Sequence, residues 1–260
     1  MIGVGRNAER CAAAERELAA LGEAELLRGD LSRMREVDRV ASEIAARVDR
    51  IDVLVNNAGG MTSELVVTDE GLDENFASNH LGPFRLTERL RPLLEHAAAD
   101  APSGTVRIVN TSSDASEYVP ELPWDDLQML GDYDFGRAYC NGKLANVMFA
   151  RALARRLGPD GIVAHAVHPG AVDTNFASYT PESVQQHMAS RDLLTPEQGA
   201  DTLVWAATSE EAGRANGAYY FERAEREMNP IALDDEAVER LWRESERLVT
   251  EARARGDASR

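Results

Sequence analysis

Residues 51–60 read IDVLVNNAGG, an apolar run that stops on two asparagines and two glycines. A segment that is polar only at its end is what a strand buried on both faces looks like, and such strands belong to parallel sheets covered by helices. On the N-terminal side, Ile2 to Gly5 is a short apolar run and Ala8 to Leu21 has helical spacing, rich in Ala, Glu and Arg. AELLRGD reads as a strand ending at Asp30, and Ser32 is a fair N-cap for an amphipathic helix running to about Val48.

On the C-terminal side, helical segments fill roughly Leu72 to Ala98. The strand TVRIVNTSS follows, then an irregular stretch from Asp114 to Asp132 and a helix from about Phe135 to Arg156. GIVAHAVHPG is another strand, Pro196 to Ala207 another helix, GAYYF a last short strand, and Leu233 to Ala252 a closing amphipathic helix. Strand and helix alternate throughout, which predicts an α/β fold with a doubly wound parallel sheet. One domain over residues 1–250 and a frayed polar tail over 251–260 are expected. Ligands bind such sheets outside the carboxyl ends of the strands, which here carry NNAGG, NTSSD and HPGAVDT.

Composition narrows the partners. The 260 residues carry a formal net charge of -17, whereas a nucleic-acid backbone needs a basic surface, so no nucleic-acid partner is expected. Cys11 and Cys140 make no disulfide framework, and no C-x-x-C suggests a metal. No apolar run approaches the roughly eighteen residues of a membrane helix, and the first twenty residues hold too many charges for a signal peptide. A soluble protein of the cytoplasm, with no membrane partner, is the expectation.

Tyr139 and Lys143 are spaced i, i+4 on one expected helix, so their side chains share a face. A phenol is a poor acid or base at neutral pH, but a neighbouring ammonium stabilises phenolate and lowers its pKa. Alone, Tyr-x-x-x-Lys is weak, and the plain reading is two residues on a helix face. The company it keeps is more specific: NNAG at 56–59, NHLGPF at 79–84, NTSS at 110–113, YCNGK at 139–143 and HPGAVDT at 168–174. In this order the set resembles the short-chain dehydrogenase/reductase family, over nearly the whole chain from Ile2 to about Leu248. WDDLQ, AYCNGKLANVMFARAL, TPEQGA and LDDEAVERLWRESE further resemble its retinol dehydrogenase and WW-domain oxidoreductase branch. Gly142 departs from that branch, which usually has serine there.

The resemblance implies a role for each matching residue. Tyr139 is the acid or base at the substrate oxygen while hydride moves to or from nicotinamide. Lys143 lowers the tyrosine pKa and bonds the nicotinamide ribose, and Ser113 polarises the substrate carbonyl. Asn79 holds a water that links Lys143 to solvent; read without the family, it is a helix residue bonded locally. Ser112 and Ser113 point to opposite faces of a strand, and the family pattern uses the second. Asp30 and Leu31 bracket adenine, and Asn57, Ala58 and Gly59 pass beneath the adenosine ribose. Pro169, Gly170, Val172 and Thr174 meet the carboxamide.

The same frame settles Gly3-Val4-Gly5-Arg6-Asn7-Ala8, which matches the loose dinucleotide pattern G-x-G-x-x-G/A. Asp-Leu ends the family's third strand and NNAG its fourth, so the strand ending at Gly5 is the second and the match is a false positive. Arg6 stands where an acidic residue would bind the ribose hydroxyls of NAD, and a guanidinium there favours the 2′-phosphate, hence NADP(H) over NAD(H). The family's first strand, its Thr-Gly-x-x-x-Gly-x-Gly turn and its first helix have no counterpart here. A strand-and-helix unit of roughly thirty residues upstream is one expectation; a true fragment or a pseudoenzyme is the other.

The expected function is an NADP(H)-dependent oxidoreductase of a small-molecule aldehyde, ketone or alcohol. A non-catalytic scaffold is the alternative, given the absent phosphate loop. No G-x-S-x-G surrounds Ser113, against a hydrolase. The region from Ala177 to Leu193 is expected to cap the substrate, with Met188 and Leu193 as apolar contributors. A homodimer or homotetramer built on the helices around NHLG and YCNGK is what the family implies.

Overall fold

A computed structural model describes residues 1–176 and 180–258. The first layer is a parallel pair, β1 (Ile2–Gly5) and β2 (Glu25–Arg28), joined by helix α1 (Ala8–Ala19) and followed by α2 (Met34–Ala45). A separate five-stranded sheet holds β3 (Val53–Asn56), β4 (Arg107–Thr111), β5 (Val163–Val167) and β6 (Tyr219–Phe221) in parallel, in that order. A two-residue strand, β7 (Ala224–Glu225), closes its edge in antiparallel sense, an element that the sequence did not announce.

Position in the sheet decides burial. β4 and β5 are buried at every residue. Among the described strands β3 is hydrogen-bonded to β4 alone, and the expectation of burial on both faces fails there: Val53 is 38% and Val55 43% exposed. The glycines of the opening stretch serve packing. A Cβ on Gly3 would stand 2.5 Å from Leu26, and one on Gly5 2.7 Å from the Cys11 sulfur of α1.

The start of α2 corrects a second expectation. Its N-cap is Arg33, which makes no side-chain cap bond, while Ser32 donates instead to Asp30. The orphan amides of Met34 and Arg35 donate to the carboxylate of Glu70, a fully buried residue thirty-five positions away from Arg35. A side chain from a distant loop therefore does what a local cap does elsewhere.

Helix α3 (Glu74–Phe76), a π-helical turn (Ala77–Leu81) and α4 (Gly82–Ala99) form one rod, capped by Asp73 through the Phe76 amide. Helix α5 (Phe135–Leu157) starts on the Asp134 cap and packs against β4 and β5. After β5 come α6 (Glu182–Ala189), α7 (Pro196–Thr208) with a full capping box from Thr195 and Gln198, and α8 (Glu210–Gly213). Residues 177–179 of the expected capping region lie outside the described residues.

After the short α9 (Pro230–Leu233), α10 (Asp235–Ala258) lies along α5 and α2. Its Trp242 meets Phe84 of α4 at 4.9 Å and Phe149 of α5 at 6.0 Å between ring centres. All three rings are buried, so α10 covers apolar surface on the two helices that carry NHLG and YCNGK. The tail expected to fray is helical through Ala258, because Ala252 and Gly256 are still buried; residues 259–260 lie outside the described residues. Among the described residues no helix is long and apolar enough to cross a membrane.

Candidate active site

The ends of β4 and β5 and one face of α5 bring Ser113, Tyr139, Lys143 and His168 together. β4 leads into Ser112 and Ser113, which turn opposite ways. Ser112 is buried, and its hydroxyl donates to the Lys143 carbonyl at 2.7 Å. Ser113 caps a 3-10 turn (Asp114–Tyr118): it accepts from the Ala115 amide at 3.2 Å and donates to Asp114 Oδ1 at 3.0 Å. Its hydroxyl also meets the Tyr139 phenol.

Tyr139 lies under Phe176, ring centres 5.4 Å apart. Burial raises its pKa, with the Asp114 charge adding to the rise and the Ser113 hydrogen bond opposing it. Any lowering by Lys143 is outweighed by burial. Lys143 Nζ stands over the ring, 5.5 Å from its centre, and donates at 3.4 Å to the Thr111 carbonyl. Desolvation pushes the ammonium itself down to about 8. A charge placed over the ring face does less for phenolate than the loss of water does against it.

Asn79 sits in the π-helical turn and is fully buried. Its amide nitrogen donates to the Asn75 carbonyl, as the local reading expects, and to the Gly60 carbonyl at 2.7 Å. Its Oδ1 accepts from the Gly60 amide at 3.3 Å. A Cβ on Gly59 would stand 2.5 Å from that oxygen and 3.4 Å from Lys143 Nζ. Asn79, Gly59 and Lys143 thus meet at one point, and glycine is what lets them. On Gly142 a Cβ would clear Asn79 at 3.4 Å, so its departure from serine is no steric demand.

The remaining expected residues fall in two places. At the ends of β1 and β2 a cleft of about 550 Å³ is lined by Arg6, Arg28, Asp30, Arg33, Arg35 and Arg39. Asp30 accepts from the Ser32 amide and hydroxyl, and Arg6 pairs with Glu74 at 2.6 Å. Leu31 packs on the core, its carbonyl against Gly82, where a Cβ would stand 2.1 Å away. Asn57 accepts from Thr111 at 3.0 Å, with Ala58 and Gly59 exposed beside it. Beyond β5, Gly170 takes φ 87°, open to glycine, between Pro169 and the turn whose Val172 bridges to Leu194. Thr174 accepts from the Phe176 amide at 3.2 Å.

Asp114, His168 and Phe176 stand at this site without having been singled out in the sequence. For Asp114 a signal existed, a charge directly after the serine.

A cleft lined by arginines at the ends of β1 and β2 and, at the end of β4, a buried ammonium that pairs with no carboxylate among the described residues are donors of the kind that a dinucleotide's phosphates and ribose hydroxyls require. Comparison with known proteins agrees. The family model for short chain dehydrogenase matches residues 1–185. The chain is 34% identical to human retinol dehydrogenase 14 over 249 residues, spanning 94% of this chain and 72% of that protein. An uncharacterised protein from Mycobacterium paratuberculosis superposes with a TM-score of 0.73 at 29% identity, over 96% of this chain and 83% of that one. The NADP complex of RhlG from Pseudomonas aeruginosa shares the fold, with a TM-score of 0.65 at 24% identity over 84% and 82% of the two chains.

Proposed function

The chain belongs to the short-chain dehydrogenase family of oxidoreductases, and on that premise we propose that it interconverts an aldehyde or ketone and its alcohol, with NADP(H) preferred over NAD(H). The observation that carries this reading is the convergence of Ser113, Tyr139, Lys143 and Asn79 around Gly59 and the end of β4. The bound nicotinamide supplies or accepts hydride. Everything else falls to this chain's own side chains.

Burial holds the Tyr139 phenol protonated, so in the reducing direction it gives its proton to the substrate oxygen. Ser113 turns its hydroxyl from Asp114 to that oxygen and stabilises the charge that develops on it. The Lys143 ammonium bonds the nicotinamide ribose and, through the carbonyl side of Asn79, draws on solvent for the next proton. Asp30 and Leu31 bracket adenine, Asn57, Ala58 and Gly59 underlie its ribose, and Pro169, Gly170, Val172 and Thr174 hold the carboxamide. Arg6 reads the 2′-phosphate, supported by the arginine-lined cleft in which it stands. We assign the protein to the cytoplasm, in keeping with its two free cysteines.

Tyr139→Phe tests the mechanism. NADPH-dependent reduction of a neutral aldehyde falls at least about a hundredfold, while NADPH binding, followed by fluorescence, is retained. Substantial turnover in that variant would remove Tyr139 from the role.

A further inference from the structure

Among the described residues, Asp114 is the one charged group in direct contact with the proposed chemistry that no assigned role employs. Its Oδ1 receives the Ser113 hydroxyl at 3.0 Å, and its charge is felt by both Tyr139 and Cys140. Among the described residues its ion-pair partner is His168 Nε2, at 3.9 Å. Desolvation lowers the His168 pKa, which leaves the imidazole neutral at and above neutral pH. Three residues on, Glu117 pairs with Arg226 at 2.7 Å; that guanidinium senses Asp114 too, but makes no ion pair with it among the described residues. The Asp114 side chain is 40% exposed while His168 beside it is 9% exposed, so the carboxylate faces the opening and the imidazole backs it.

We propose that Asp114 is a specificity-determining residue that turns away substrates bearing an anionic group near the reacting carbonyl and admits neutral or cationic ones. The proposal rests on the oxidoreductase reading above. The substrate oxygen takes the place of Asp114 as acceptor of the Ser113 hydroxyl, so it comes to rest about two hydrogen-bond lengths from the carboxylate. A second negative charge carried a few ångströms further on meets a carboxylate that no arginine or lysine contacts directly among the described residues, across a partly desolvated site. At an effective dielectric near 20 that repulsion lowers kcat/KM or affinity by about tenfold or more. Free 2-oxo acids and carboxylated aldehydes are disfavoured; their esters and amides are not.

The test uses a pair matched in shape, 4-formylbenzoate and its methyl ester, with NADPH. In Asp114→Asn and in Asp114→Ser, the ratio of kcat/KM for the anion to that for the ester rises about tenfold or more over wild type. A ratio makes the result independent of any general loss caused by disturbing Ser113. The same two compounds are titrated against the NADP-saturated protein by tyrosine and tryptophan fluorescence, and the ratio of their affinities shifts in the same sense. Ratios that stay at the wild-type value in both variants overturn the proposal. Were neither aldehyde turned over by wild type, the binding ratio would still decide the role of Asp114, while the missing turnover would count against the oxidoreductase reading.

Discussion

The Ser112 hydroxyl donates to the main-chain carbonyl of Lys143 at 2.7 Å, fastening the end of β4 to the middle of α5. Because Ser113 follows on the strand and Tyr139 precedes on the helix, this bond fixes their separation. The two adjacent serines therefore divide structure from chemistry. Ser112→Ala removes this second bond to a carbonyl that already accepts within α5, and lowers stability by about 0.5–1.5 kcal/mol, measured by urea denaturation. Ser113→Ala gives up the cap on the Ala115 amide at a cost of about 0.5–2 kcal/mol, and lowers kcat by about a hundredfold.

Lys143 makes folding depend on pH in a direction opposite to that of a salt-bridged lysine. Its pKa falls from 10.5 to about 8 on folding because the ammonium loses water. Between those values the unfolded chain holds a proton that the folded one has released, so stability rises with pH through this window. Below it the penalty is constant. Lys143→Met removes the penalty and is more stable than wild type at pH 7 by roughly 2–4 kcal/mol, an advantage that shrinks to nothing as pH passes the upper value. Equal stability of the two proteins at pH 7 would refute the burial argument. In activity the sign reverses: the loss of the ammonium above about 8 lowers turnover.

Arg6 pairs with Glu74, and on the proposed reading it gives up that pair to meet the 2′-phosphate. Arg6→Ala weakens NADPH binding about tenfold more than NADH binding. Glu74→Gln frees the guanidinium and tightens NADPH alone. Fluorescence titrations with both nucleotides measure this, and equal losses in Arg6→Ala would remove the 2′-phosphate from its assignment.

Glu70 caps α2 from outside the helix. Glu70→Ala strands two amides and costs about 1–3 kcal/mol, read from urea unfolding. Glu70→Gln, which keeps one acceptor, falls between it and wild type.

Much of this site was legible because its pieces are short and ordered along the chain: NNAG, NTSS and YCNGK lie where the strand ends and the helix face bring them together. The choice between Ser112 and Ser113 rested on strand alternation, and the two side chains do diverge. The cap of α2 was not legible, since Ser32 has the right chemistry locally and Glu70 wins from a loop far off in sequence. The exposure of Val53 and Val55 runs against the apolar run alone, but accords with the gap in the sheet beside β3 that the missing counterpart of the family's first strand implies. The raised Tyr139 pKa was not legible, because i, i+4 spacing puts Lys143 on the same face without stating whether its charge meets the hydroxyl or the ring.

The π-helical turn at Ala77–Leu81 gives the length of the chain a meaning that side-chain identity does not have. One residue of an α-helix advances by about 100°, so deleting a single residue there would restore the ordinary ladder and swing Asn79 away from Gly59 and Lys143. Every residue type in the segment could be kept and the junction would still be lost. Insertions and deletions between Glu74 and Gly82 should therefore be rejected in functional sequences far more strictly than substitutions, a bias that a deletion scan can count directly.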